Sequence, residues 1–137
     1  MQPLLLDTCA AVWLAEDQRM TQTALDALDA ANAAEVTTYI SPISAWELGM
    51  LVARDRVQLL ITPQRWFARL FDAPHVRLAD MSPDLLIASS FLPGAPPRDP
   101  TDRIIAATAR DYGATLITRD RALLFYGEQG HINVLAC

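Results

Sequence analysis

The sequence predicts an α/β fold: a single domain over residues 1–137, with a central, mostly parallel sheet of about four to five strands and helices on both faces. Three observations predict it. Short apolar stretches such as "PLLLD" and "ATLITRD" run into an acid, as buried parallel strands do. Segments of helical periodicity alternate with them along the whole chain. Finally, 137 residues with no internal repeat, low-complexity tract or second composition leave room for one core.

The elements follow in order. "PLLLD" is the first strand, and "TCAAVWLAED" reads as a helix. "TQTALDALDAANAA" spaces Leu25 and Leu28 among small alanines at helical intervals. "EVTTYIS" is rich in β-branched residues and predicts the second strand. "SAWELGMLVARDR" is helical, with Leu48, Leu51 and Val52 to one side. "TPQRWFARLFDA" opens on Thr-Pro, a favoured helix entry, and "HVRLAD" is a strand candidate. "SPDLLIASSFL" starts another helix, and "PGAPPRDP" is the clear loop, holding four of the nine prolines. A helix from Asp99 to Tyr112 stops at Gly113, a C′ glycine. The chain finishes as strand "ATLITRD", helix "RALLFYG" and strand "INVLA".

Composition excludes several kinds of protein. Apolar residues make up 52% and charged residues 20%, so a packed core is expected and disorder is not. A net charge of −5 argues against a generic polyanion binder with a broad basic face. A nucleic-acid enzyme remains compatible, because a bound metal supplies local positive charge. All eleven basic residues are arginine. Without lysine, P-loop and Schiff-base chemistry are out, and any phosphate contact must come from arginine, backbone N–H or metal. The two cysteines, Cys9 and Cys137, read as reduced thiols. "LLLDTC" lacks the basic flank and length of a signal peptide, and no apolar run is long enough for a membrane span. A soluble, cytoplasmic protein with no membrane partner is expected.

The acids carry the functional signal. Asp7 follows the first strand and Asp120 the strand "TLIT". Glu47 lies early in the helix after "TTYI", and Asp102 in the first turn of the helix opened by Asp99 and Pro100. Ligands of open α/β sheets bind beyond the carboxyl ends of the strands. Taken singly, each acid reads first as a helix cap or a solvated charge. Asp7 and Asp120 each precede a helix, Ser44 to Glu47 spells a capping box, and Asp99-Pro100 is an N-cap followed by an N1 proline. Taken together, several carboxylates at one sheet edge would repel one another. Mg2+ or Mn2+ between them removes that cost, since hard dications take oxygen ligands. On this reading Asp99 is the cap, reaching a metal only through water, while Asp102 faces the sheet edge.

The order "LLLDTCAAVWL", "SPISAWELGML" and "RDPTDRIIAATARDYGATLITRD" resembles the PIN-domain ribonucleases of the VapC toxin type, from type II toxin–antitoxin systems. The resemblance runs over nearly the whole chain and is most specific from Arg98 to Asp120. It places the family's acidic quartet on Asp7, Glu47, Asp102 and Asp120. The chain departs at Thr101, where the family often carries an aromatic; the acids are untouched. The resemblance implies a Mg2+- or Mn2+-dependent endoribonuclease leaving a 5′-phosphate and a 3′-hydroxyl. Asp7, Asp102 and Asp120 would hold the metal, with Glu47 direct or through water. Thr8, Ser44 and Thr118 would support carboxylates or metal waters. Arg98, Arg103, Arg119 and Arg121 are candidates for RNA phosphates. The resemblance further implies a homodimeric toxin wrapped by a cognate antitoxin, with growth or translation as its target.

Other readings compete with this one. A Mg2+-dependent aspartate phosphotransfer or phosphatase domain also uses an aspartate after the first strand. One such class wants a second aspartate where this chain has Cys9, and both relevant classes want a lysine. The other alternative is a PIN-fold interaction module without catalysis. His75 and His131 have no second His or Cys at ligand spacing, so zinc is not expected, and no serine sits in a G-x-S-x-G elbow. Trp13, Trp46, Trp66, Phe67 and Phe71 are expected in the core, some of them at a dimer or partner groove.

Overall fold

The computed structural model describes residues 1–16 and 19–137. Its strands are β1 (Leu4–Leu6), β2 (Thr38–Ile40), β3 (Val76–Leu78), β4 (Thr115–Thr118) and β5 (Asn133–Ala136). They form one sheet in the order β3-β2-β1-β4-β5, with every pairing parallel. The helices are α1 (Thr8–Ala15), α2 (Gln22–Ala33), α3 (Ile43–Ala53), α4 (Pro63–Arg69), α5 (Pro83–Ala88), α6 (Pro100–Tyr112) and α7 (Arg121–Glu128). The expected mostly parallel sheet is thus parallel throughout. The helix expected over residues 8–17 is α1 as far as Ala15, and its end at Asp17 lies outside the described residues.

Several elements are shorter than their sequence patterns. Glu35 takes φ 58° and ends α2, so β2 begins only at Thr38. His75 takes φ 63° just before β3, and Asp55 takes φ 57° just after α3. Periodicity does not reveal these left-handed stops, because none falls on glycine. Gly113, at φ 59°, does end α6 as a C′ glycine should.

The pleat sorts the strand residues into two cores. Leu4, Leu6, Ile40 and Ile117 face α1 and α2, packing on Ala10, Ala11, Ala24 and Ala31. Leu5 and Leu116 face the opposite side, against Ile105, Ala106 and Ala109 of α6 and Leu123 and Tyr126 of α7. Alanine-rich helix faces let the helices lie close to the sheet. Truncating a fully buried strand leucine such as Leu5 to alanine would cost about 2–5 kcal/mol. Among the described residues, no helix is long and apolar enough to cross a membrane.

Strand order decides where the acids fall. β1 and β4 are neighbours at the centre of the sheet, so the residues that follow them, Asp7 and Asp120, emerge side by side at the carboxyl edge.

Candidate active site

Asp7 is the N-cap of α1 and is 7% exposed. Its Oδ1 accepts the Ala10 N–H at 2.7 Å, and its Oδ2 accepts the Thr118 hydroxyl. Thr118 Oγ1 in turn accepts the Asp120 N–H at 3.0 Å. One fully buried hydroxyl at the end of β4 therefore ties together the two acids beyond the central strands. Asp120 is itself the N-cap of α7, accepting the Leu123 N–H at 3.0 Å. Capping and site-building are compatible here: each helix begins where its strand ends, so the capping acid stands at the sheet edge.

Glu47 comes from α3 on the other flank. Its Oε1 lies 2.7 Å from Thr8 Oγ1, which also lies 2.9 Å from Ser44 Oγ. The Thr8 hydroxyl has one proton, and the carboxylate is the stronger acceptor. The expected Ser44–Glu47 capping box does not form. Pro42 is the N-cap of α3 with no side-chain cap bond, and Ser44 is buried inside the first turn against Thr8. Ser41 Oγ instead accepts the Ile43 N–H at 3.1 Å.

Asp99 and Asp102 divide their roles. Asp99 caps α6 through the Thr101 and Asp102 N–H groups and accepts the Thr101 hydroxyl at 2.6 Å. The Thr101 hydroxyl, seconded by these N–H donors, holds the Asp99 carboxyl below the usual carboxylate range. Asp102 is half-buried, and every influence on it favours the neutral form. Desolvation first, then the charges of Asp120, Asp99, Glu47 and Asp7, push it from 3.8 up to about 7. Burial also raises Asp7 against the Thr118 and Ala10 bonds, and Asp120 adds to the rise. Burial raises Glu47 against its Thr8 bond, with Asp99 and Asp7 adding to it. Desolvation first, then the charges of Asp7, Glu47 and Asp120, push the Cys9 thiol up to about 11. Asp7, Glu47, Asp99, Asp102 and Asp120 thus lie within one electrostatic neighbourhood.

They do not close into a cage. Among the described residues, no group of three or more His, Cys, Asp or Glu is preformed to hold a metal. The reason is local: carboxylates repel, and Asp7 and Asp120 turn oxygens to their own helix N–H groups. The donor chemistry still fits a hard dication. The candidate donors are all carboxylate or hydroxyl oxygens, and Mg2+ binds through one or two carboxylates while keeping several waters.

The arginines separate. Arg119 is not free for phosphate. Its guanidinium lies 3.6 Å from the Trp13 ring centroid and donates to the carbonyls of Cys137 and Arg19. Arg119, one residue past β4, lays its guanidinium on Trp13 of α1, while Thr118 turns to Asp7. Arg103 lies near enough to Tyr126 to act on its hydroxyl. Arg98 and Arg121 are exposed beside Asp99 and Asp120. Trp66 is buried as expected, and Trp13, Phe67 and Phe71 pack on the first core, but Trp46 is 56% exposed. Two residues with a place in the site were not singled out for it from sequence: Thr101, which orders Asp99, and Trp46, beside Glu47. An aromatic adjacent to a site acid was the available signal for the second.

A parallel sheet in this order, with acids from four elements beyond its carboxyl edge, is the architecture of a PIN domain. The family pattern described as "PIN domain" matches residues 4–127, and the chain belongs to that family. Within it the chain is of the VapC type. It is 38% identical over 124 residues to Ribonuclease VapC22 of Mycobacterium tuberculosis, covering 90% of this chain and 91% of that protein. Solved structures share the fold. One is VapBC2 from Rickettsia felis bound to a DNA fragment from its promoter (TM-score 0.67, 16% identity, 98% of each chain). Another is FitAcB from Neisseria gonorrhoeae (TM-score 0.57, 21% identity, 96% of each chain).

Proposed function

We propose that the chain is a Mg2+- or Mn2+-dependent endoribonuclease, the toxin of a toxin–antitoxin pair that restrains growth or translation in the cytoplasm. The single observation that carries this is the convergence of Asp7, Glu47, Asp102 and Asp120 beyond the carboxyl edge of the sheet, with Asp7 and Asp120 joined through Thr118. Ionised together, such a cluster is relieved by a bound cation. The 38% identical relative is named a ribonuclease, which supports the reaction class.

Asp7, Asp102 and Asp120 would hold the ion, with Glu47 direct or through water. When bound, the dication supplies a water acidified for attack and positive charge at the leaving oxygen. The chain's own groups do the positioning. Thr118 holds the Asp7 carboxylate in one rotamer and keeps Asp120 in register with it. Thr8 aims Glu47 across the cleft. Asp99 is committed to the α6 N-terminus, with any role at the ion passing through water. Arg98, Arg103 and Arg121 remain as candidates for the RNA backbone. An antitoxin and a second copy of the chain are the proposed protein partners. Exposed Ile87 and Phe91, in and just after α5, offer apolar surface for assembly.

The test is cleavage of labelled single-stranded RNA with Mg2+, with EDTA, and by Asp7→Asn. Cleavage that requires the metal and disappears in the variant is expected. Equal cleavage by both proteins would remove the acidic site from the reaction. Phosphate trapped covalently on Asp7 would replace hydrolysis with phosphotransfer.

A further inference from the structure

A groove of about 800 Å³ opens directly from the acidic site, between α3 and the start of α6. Glu47, Asp99 and Thr101 belong to both. From there the wall follows one face of α3: Trp46, Met50 and Arg54 stand at i, i+4 and i+8, and Arg56 follows. Seven residues separate Glu47 from Arg54, a rise of roughly 10 Å. The groove therefore presents an exposed indole beside the carboxylates at one end, a thioether in the middle, and two guanidinium groups at the other.

We propose that this groove seats an unpaired nucleotide of the RNA next to the scissile phosphate, its base stacked on Trp46 and its phosphate met by Arg54 and Arg56. The proposal rests on the nuclease reading and names the substrate feature that site takes: a single-stranded, unstacked base. Three observations favour it. Trp46 is 56% exposed, whereas Trp66 is buried and bonded to Glu16 and Trp13 lies under Arg119. An aromatic face beside arginines is the recognition chemistry of single-stranded nucleic acid, where the base stacks and the backbone meets cations. Moreover, the groove's wall includes the carboxylates of Glu47 and Asp99, and acids are depleted at the core of a protein–protein interface. In a chain with a net charge of −5, two arginines leading away from the carboxylates also give a polyanion a direction of approach.

Stacking away from the bond that breaks is binding shared by ground state and transition state, so it acts on KM and leaves kcat. Trp46→Ala should raise KM for an unpaired RNA roughly 5- to 150-fold with kcat held, and Trp46→Phe should recover most of it. Arg54→Ala with Arg56→Ala should make the salt dependence of binding shallower, by about 0.7 in slope for each phosphate that is no longer neutralised. Binding is read apart from cleavage with Asp7→Asn protein, Mg2+ and a single-stranded oligoribonucleotide. Tryptophan fluorescence should be quenched, and Trp46→Phe in that background should remove the quench. Cleavage by the parent protein with no quench and an unchanged KM in Trp46→Ala overturns the subsite and leaves the nuclease reading standing. A quench without any cleavage by the parent supports the subsite and removes the nuclease reading. Absence of both removes both. If Trp46→Ala instead shifts the sedimentation of the protein and RNA never quenches Trp46, the face belongs to a second copy and the proposal fails.

Discussion

The Thr118 hydroxyl donates to the Asp7 carboxylate across the junction of β4 and β1, and the same oxygen receives the Asp120 N–H. Thr118→Val keeps the shape and removes both interactions. It should cost about 1–3 kcal/mol, because the buried Asp7 carboxylate loses a donor. It should also push the Asp7 carboxyl higher still and lower RNA cleavage. Thr118→Ser should retain most of both properties. Urea denaturation beside cleavage rates checks this; a Val variant as stable and active as the parent would show that the bond contributes nothing.

Asp102 predicts an inverse pH dependence of metal-free stability. Its carboxyl rises from 3.8 in the unfolded chain to about 7 in the folded one. Between those values the folded protein keeps a proton the unfolded chain has released. Its contribution to stability is therefore complete below about pH 4 and is lost as pH rises through about 7. Burial moves Asp7 and Glu47 in the same direction, and Asp99 opposes them. In EDTA, Asp102→Asn should flatten the fall in Tm towards alkaline pH and melt above the parent at about pH 8. The expected rise is roughly 4 °C for each kcal/mol of relieved repulsion. Parallel melting curves across pH would contradict the assignment.

Mg2+ should reverse that instability. At a hundred times its dissociation constant it would add about 2.7 kcal/mol to a chain that binds it only when folded. The gain should be larger at about pH 8 than at about pH 5.5, where protons occupy Asp102. Asp7→Asn and Asp102→Asn should each lose most of it. Calorimetric melts with and without Mg2+ read this without any RNA present.

Asp99 and Asp102, three positions apart, should fail in opposite ways. Asp99→Ala removes the N-cap of α6 and should cost about 1 kcal/mol while sparing most of the Mg2+ effect. Asp102→Asn should abolish that effect without lowering metal-free stability. Equal Mg2+ shifts in the two variants would move the ligand role away from Asp102.

Arg119 should behave as a structural residue. Its stack on Trp13 is worth about 0.5–1 kcal/mol, and its bonds to the Cys137 and Arg19 carbonyls add to that. Arg119→Ala should lower the melting temperature and leave the salt slope of RNA binding unchanged. A shallower slope would return Arg119 to the residues that meet phosphate.

Much of this molecule could be read from periodicity and punctuation. The alternation of strands and helices, the proline helix starts and the C′ glycine after Tyr112 all belong to local chemistry, which adjacent residues carry by themselves. The late start of β2 and the early end of α3 could not be read, because Glu35 and Asp55 hold left-handed backbone without being glycine. The acids could be located in the chain, since each sits where a strand runs out or a helix begins. The capping-box spelling at Ser44 misled: tertiary contact with Thr8 outweighed a local bond worth about 1 kcal/mol.

What the chain by itself determined was therefore the set of parts: an α/β succession of elements and acids at their ends. Only the folded sheet decided their use. By placing β1 beside β4 it brought Asp7 to Thr118, 111 positions away, and turned separate helix caps into one field of charge. It also docked Arg119 on Trp13 and left Trp46 open to solvent. Helix capping and turn formation act over a few neighbouring residues, whereas repulsion, desolvation and hydrogen bonds between distant segments depend on distance through space, which the strand order sets.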